Sequence, residues 1–186
     1  ESKLNKELGI RTEPNVRIIN SVTAENDTIR STMIPSLLGI VYKNVDSYPE
    51  IGIYEIGRVV DGLNEDGMCN ERKRLGIVLA SKRLTEKEVF FKLKEVIEHM
   101  TLSIKNVTAR FTENSKYKKY NYVHPVNSAE IYLKDREIGY LSVLNPIIRD
   151  NIDKKLNVVF AEIDLYDMEK IKPENLEYKE VSKYPG

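Results

Sequence analysis

The tightest constraint on this chain is the order of its β-forming runs. Ala129–Leu133 and Ile138–Leu144 are separated only by the polar turn Lys134-Asp135-Arg136-Glu137. A parallel crossover needs a dozen residues or more, so these two runs must pair as antiparallel neighbours. Further β-rich runs at Val107–Thr112 and Val158–Leu165, and an earlier one carrying Ile51, Ile53, Tyr54 and Ile56, extend the pattern. Turn-prone Asp61-Gly62 and Asp66-Gly67 follow that earlier run, and Leu75–Ala80 reads as its antiparallel return. Strands that follow one another with few crossover helices predict an α+β fold, an antiparallel sheet flanked by helices.

The helices announce themselves by period and caps. Over Glu86–Leu102, Thr85 and Glu88 form a capping box, and Val89, Leu93, Val96, Ile97, Met100 and Ile104 trace one apolar face. Thr28–Thr32 leads into a second helix, with Ile34, Leu37, Leu38 and Val41 at core-facing spacing and Pro35 in a first turn that needs no N–H. Asn145-Pro146 has the N-cap and N1 chemistry that opens a short helix through Ile152. Val16–Ile19 reads as a short strand. Residues 1–15 are polar and read as irregular, and 174–186 read as the start of a linker.

Composition narrows the class. At 186 residues the chain has the length of a single domain (~100–200 residues is usual). Its 41% hydrophobic and 31% charged residues are enough for a real core. Twenty-nine basic residues balance 29 acidic ones, which excludes a polybasic or histone-like mode of binding. Cys69 is a lone cysteine, and with only His99 and His124 beside it the sequence offers neither a disulfide nor a zinc site. That pattern points to a reducing compartment, with the cytoplasm as the expected location. No apolar run reaches membrane-spanning length and no signal peptide opens the chain. It starts at Glu1 and stops at Pro185-Gly186, so a segment cut from a longer protein is expected.

Few residues carry chemistry. His124, beside Pro125, is the most enzyme-like, but a general base needs an orienting partner and a nucleophile within reach. Asn127 and Ser128 are near in sequence, yet alternate positions on a strand face opposite ways. A hydrogen-bonded turn histidine is the favoured reading, with a small hydrolase ranked well below it. His99 falls off the apolar stripe and reads as exposed. Tyr117-Lys118-Lys119-Tyr120-Asn121-Tyr122 interleaves cations with rings, a pattern that can stack on unpaired bases; Tyr117, Lys118, Lys119, Tyr120 and Tyr122 are the candidate RNA contacts. Tyrosine-rich loops also pack onto their own domain. Arg72-Lys73-Arg74 reads as a solvated strand edge. Glu55, a carboxylate within an apolar strand, needs a cation, for which Arg58 and Arg30 are the candidates. No Walker loop, dinucleotide glycine fingerprint, nucleophile elbow or HExxH motif occurs.

Several segments, taken in order, resemble the β subunit of bacterial phenylalanyl-tRNA synthetase. They are Val16-Arg17-Ile18-Ile19-Asn20, Thr28–Leu38, Ile53-Tyr54-Glu55-Ile56-Gly57-Arg58-Val59-Val60 and Phe90–Lys94. His124-Pro125 with Ser128-Ala129, Ile138-Gly139-Tyr140-Leu141-Ser142-Val143-Leu144-Asn145-Pro146 and Val159–Leu165 complete the series. The resemblance runs from about Val16 to Pro185. It departs from the family at Ser21, where a proline follows Asn20, and at Asn145, where a histidine precedes Pro146.

The resemblance implies a class II aminoacyl-tRNA synthetase-like antiparallel sheet, specifically the B6–B7 core module, a degenerate copy of the catalytic domain. Asp61 stands where the related α-subunit pattern has the arginine that grips the ATP phosphate, and the motif 3 arginine has no counterpart. The resemblance therefore implies no catalytic, cofactor or metal residue here, with ATP and Mg²⁺ held by the α subunit. It implies an architectural module packing against that subunit in an (αβ)₂ ligase that charges tRNA with phenylalanine. Arg30, Leu37, Leu38, Phe90 and Phe91 are the candidate subunit-interface residues. An independent RNA-binding module and a diverged synthetase paralog are the alternatives, and contact with tRNA(Phe) stays open. The family has a helix and a strand just upstream of residue 1, so an exposed sheet edge and a homodimer of this segment are further expectations.

Overall fold

The computed structural model describes residues 3–11, 16–17 and 28–174. Helix α1 (Lys3–Leu8) is followed by two short paired strands, β1 (Val16–Arg17) and β2 (Thr28–Ile29), and by helix α2 (Ile34–Asn44). A long hairpin, β3 (Glu50–Leu63) and β4 (Cys69–Ser81), leads into helix α3 (Glu86–Lys105). Strands β5 (Arg110–Glu113), β6 (Val123–Leu133) and β7 (Arg136–Leu144) follow, with a 3-10 turn at Tyr117–Lys119. Helix α4 (Pro146–Ile152), strand β8 (Asn157–Asp164) and helix α5 (Leu165–Glu169) complete the described elements.

One six-stranded, wholly antiparallel sheet organises these elements, in the order β3-β4-β8-β7-β6-β5. The architecture is α+β. The last strand in sequence is a central strand in space, joining the β3–β4 hairpin to the β5–β6–β7 meander. Its composition suits that place. Val158 through Ile163 are all buried, as a strand covered on both faces requires.

Alternation then sorts the core into two layers. On one face Val78, Ala80, Tyr140, Leu144, Val158 and Phe160 pack beneath α1, α2 and α4. On the other, Leu75, Ile77, Leu141, Val143, Val159 and Ile163 pack beneath α3 and α5. The capping box of α3 is present in full: Thr85 Oγ1 accepts from Glu88 N, and the Glu88 carboxylate accepts from Thr85 N at 2.7 Å. Thr85→Ala is expected to lower stability by about 1 kcal/mol in urea denaturation.

Several boundaries differ from the sequence reading. The expected irregular start contains α1, whose Leu8 is fully buried and whose Leu4 packs on the core. Six residues are too few to show a helical period, and tertiary contacts hold them. Ile18 and Ile19, like almost all of the expected linker, lie outside the described residues. Asp61-Gly62 is not the turn: Gly62 takes a left-handed φ of 80° at a register slip inside β3. The reversal comes at Asn64–Met68, where the Asn64 side chain accepts from Met68 N. Helix α3 runs on to Lys105 and stops at left-handed Asn106. Its buried stripe is Val89, Leu93, Ile97 and Thr101, while Val96 and Ile104 are exposed. Strand β5 starts at Arg110 rather than Val107, and β6 starts at Val123 rather than Ala129. The Asn145 side chain accepts from Ile147 N, with Pro146 in the first turn, as that pair predicts.

Candidate functional site

The α2-covered face of the sheet carries the densest polar chemistry of the described residues. On β8, Glu162 points into this face and is 2% exposed. Its Oε1 accepts from Met33 N at 2.6 Å and from Thr32 Oγ1 at 3.0 Å; its Oε2 accepts from Arg74 Nη1 at 3.1 Å. A carboxylate thus sits at the N-terminus of α2, where N–H groups lack helical partners. Burial pushes the Glu162 carboxyl above the ordinary carboxylate value, while Arg74 and the donors from Met33 and Thr32 pull against that rise.

Neighbouring charges close on one another. Arg74 also donates to Ser31 O at 3.1 Å and faces Asp61 and Asp164, each at 3.8 Å. Arg72 donates to Asp164 at 2.8 Å and to Asp167, and its guanidinium lies 4.9 Å from the centre of the Tyr166 ring. Both arginines and the carboxylates of Asp61, Glu162, Asp164 and Asp167 line a cavity of about 150 Å³ together with Tyr117 and Glu137. Every buried side-chain polar atom among the described residues has a partner, and no cluster of metal-ligating residues occurs among them. Both arginines are clamped by carboxylates. Glu162, through Met33 N and Thr32 Oγ1, fastens the start of α2 to the sheet.

Sequence reasoning placed Arg72-Lys73-Arg74 on a solvated edge. The correction is physical: β4 is an interior strand, so Arg72 and Arg74 turn onto the α2-side face and only Lys73 is exposed. The signal for Glu162 was in the sequence, because Val159-Phe160-Ala161-Glu162-Ile163 is an apolar run broken by one carboxylate. The same rule picks out Glu55, whose partner is Arg30 at 2.7 Å; Arg58 pairs instead with Glu71 at 3.2 Å.

The candidate RNA loop is split by folding. Tyr122 is fully buried, so it offers no surface to a base. Tyr117 stacks on Tyr140 with centroids 4.1 Å apart, and Tyr120 on Tyr122 at 5.3 Å. Tyr117 also donates its hydroxyl to Glu137. These ring faces are occupied within the chain. Lys118 and Lys119 remain exposed, with Lys118 3.8 Å from Glu113 and Lys119 over the Tyr120 ring.

Of the candidate interface residues, Leu37 and Leu38 belong to this chain's own core, being 1% and 0% exposed. They are therefore not surface residues. Phe90 is half-buried against the α3-side core, whereas Phe91 is 52% exposed and meets it edge to face at 5.9 Å. Arg30 is half-buried in its pair with Glu55. His124 is hydrogen-bonded as expected, but on a strand rather than in a turn: it lies at the irregular start of β6, where its Nδ1 accepts from Val126 N and Asn127 N at 3.1 and 2.8 Å. Ser128 bonds Asn114 instead. His99 is exposed.

Comparison with known proteins supports the family resemblance. The family model described as the phenylalanyl tRNA synthetase beta chain CLM domain matches residues 2–165. Among similar proteins, the phenylalanine–tRNA ligase beta subunit of Syntrophus aciditrophicus is 27% identical over 180 residues, covering 91% of this chain and 22% of the relative. The beta subunit of Listeria monocytogenes is 27% identical over 190 residues, covering 96% and 23%. That of Legionella pneumophila is 27% identical over 181 residues, covering 91% and 21%. The chain thus spans about a fifth of the length of the curated relatives it matches. The family model covers most of the chain, and with it one conclusion follows: the chain belongs to the phenylalanyl tRNA synthetase beta chain CLM domain family.

Proposed function

We propose that this chain is a non-catalytic, architectural module of a phenylalanine–tRNA ligase β subunit, the B6–B7 core built on a class II synthetase-like sheet. The observation that carries the reading is the mutual neutralisation of Arg72 and Arg74 by Asp164, Asp167 and Glu162 on the α2-side face. Polar groups that satisfy one another hold a fold together but have no capacity left for a charged substrate. Asp61, 3.8 Å from Arg74, adds a carboxylate where an incoming phosphate would be repelled. The module packs against the catalytic α subunit in an (αβ)₂ assembly in the cytoplasm. The α subunit binds ATP and Mg²⁺, and the assembly charges tRNA with phenylalanine. The names of the relatives support the β-subunit assignment.

Two measurements test this reading together. Mixed with an α subunit from the same source, the chain is expected to form a stable complex by light scattering. Alone, it is expected to show no phenylalanine-dependent ATP–pyrophosphate exchange, and robust exchange would overturn the proposal. The exposure of Lys118 and Lys119 keeps an RNA-binding module as the second reading. That reading predicts salt-dependent tRNA affinity that falls in the Lys118→Ala/Lys119→Ala double variant. Unchanged affinity in that variant removes it.

A further inference from the structure

Three turns meet where strands β3, β4 and β8 share an end, and the fold fixes each of them. The first follows α2, where Ser47 N and Tyr48 N donate to Asn44 O at 3.0 and 3.1 Å. In the second, after β4, Ser81 Oγ accepts from Arg83 N and Leu84 N, each at 3.0 Å. The third joins α4 to β8. There Leu156 N donates to Asp153 O at 3.0 Å, and the Asp153 side chain accepts from Lys155 N at 2.8 Å. This Asx turn sets Lys154 and Lys155 at its two central positions. Lys82 N donates to Pro49 O at 2.8 Å and Asn157 Nδ2 to Leu84 O at 2.8 Å, so the three turns are tied side by side.

Positive charge gathers on these turns although the whole chain is neutral. Lys82, Arg83, Lys154 and Lys155 stand on two of them, and Asp153 is the one carboxylate in ion-pair reach of any of the four among the described residues. That carboxylate is already spent. It pairs with Lys82 at 2.7 Å and caps Lys155 N; Lys82 first, and then that N–H, hold it below the ordinary carboxylate value. Arg83, Lys154 and Lys155 are exposed and without an ion pair among the described residues. Tyr48, on the first turn, is 58% exposed, and no described ring or cation lies against it. Tyr117 and Tyr120 are the contrast, with their ring faces filled inside the chain.

We propose that these turns form a binding surface for unpaired RNA, with a base stacked on Tyr48 and the flanking phosphates on Arg83, Lys154 and Lys155. The chemistry favours RNA over other polyanions. A free ring face accepts any base, and cations carried on turns that are already fixed lose little freedom on meeting phosphates. A membrane surface would reward a broad apolar helix face, whereas these turns offer one ring. Rings beside cations are also what the 117–122 segment shows in sequence. Here the pattern is assembled from residues 48, 82–83 and 153–155, which no local reading of the sequence joins. The inference goes beyond the architectural role and does not rest on it, because RNA binding is measured without an α subunit.

Fluorescence anisotropy of the 186-residue chain with a labelled oligouridylate of about ten nucleotides tests it. Saturable binding is expected at roughly 50 mM salt, with log affinity falling against log salt at a slope of about −2, the value for three phosphates of a single strand. Arg83→Gln with Lys154→Gln and Lys155→Gln is expected to lower affinity about tenfold and to flatten the slope toward zero. Tyr48→Ala is expected to lower affinity about tenfold with the slope unchanged, and Tyr48→Phe to keep the affinity. All four positions are exposed, so urea unfolding of these variants is expected to match that of the unaltered chain. Absence of saturable binding overturns the proposal, as does a Tyr48→Ala variant that binds like the unaltered chain. An equal loss in Lys118→Ala/Lys119→Ala also overturns it, moving the site to that loop. Binding to phosphatidylserine vesicles with none to the oligonucleotide overturns it too, assigning the turns to a membrane surface.

Discussion

Glu162→Ala is expected to destabilise the fold by about 3–5 kcal/mol, the range for removing one partner of a buried pair. The loss has two parts. Arg74, whose side chain is 16% exposed, keeps its charge with only Asp61 and Asp164, each at 3.8 Å, and Ser31 O in reach. Met33 N loses its acceptor and Thr32 Oγ1 loses the carboxylate, so the start of α2 is detached from β8. Denaturant unfolding gives the total, and hydrogen exchange through Met33–Leu38 is expected to rise before global unfolding. Glu162→Gln keeps an acceptor but turns an amide toward Arg74, so a smaller loss is expected. Arg74→Ala removes the cation and leaves only the Met33 and Thr32 donors to oppose burial, which raises the Glu162 carboxyl further. A raised folded value makes the sign definite: Glu162's contribution is fully present below the unfolded value of about 4.3 and fades as the pH rises through the folded one. Arg74→Ala is therefore expected to lose more stability relative to the unaltered protein at neutral pH than in mild acid. A loss that is equal at both would show that Arg74 does not act through Glu162.

The part of this chain legible from sequence is the part governed by short-range rules. Thr85 with Glu88, Asn145 with Pro146, and the hairpin between β6 and β7 follow from caps, fixed φ and turn length, and all three are present. The antiparallel α+β class follows from strand spacing. What sequence could not supply is which strand sits beside which. Insertion of β8 between β4 and β7 makes β4 an interior strand, and that placement turns Arg72 and Arg74 from edge cations into clamped ones. Tyr120 and Tyr122 are indistinguishable by composition. Tyr122 is in the core because it directly precedes β6, while Tyr120 lies two residues earlier against its ring. Leu37 and Leu38 satisfy the periodicity of a core helix and the composition of an interface helix alike; only the burial of α2 on the sheet decides between them.

Gly139→Ala is expected to cost about 3 kcal/mol or more, although it adds a single carbon. Gly139 lies opposite Ile163 on β8 and Ile131 on β6, at a register shift in the β6–β7 pair. A Cβ built there falls 2.0 Å from the Glu162 carbonyl oxygen and 2.9 Å from Ile163 Cα. Both neighbours are backbone, so no side-chain rotation relieves the overlap. The central β7–β8 ladder must move, and the strand that moves carries the Glu162 carboxylate fastened to α2. This predicts coupling. Made together with Glu162→Ala, the substitution is expected to cost less than the two losses added, because displacing β8 has already loosened the contacts that Glu162→Ala removes. A double-mutant cycle in urea measures the difference. Strict additivity would mean that β8 accommodates the new carbon without shifting its own side chains, and would separate the close approach at Gly139 from the anchoring of α2.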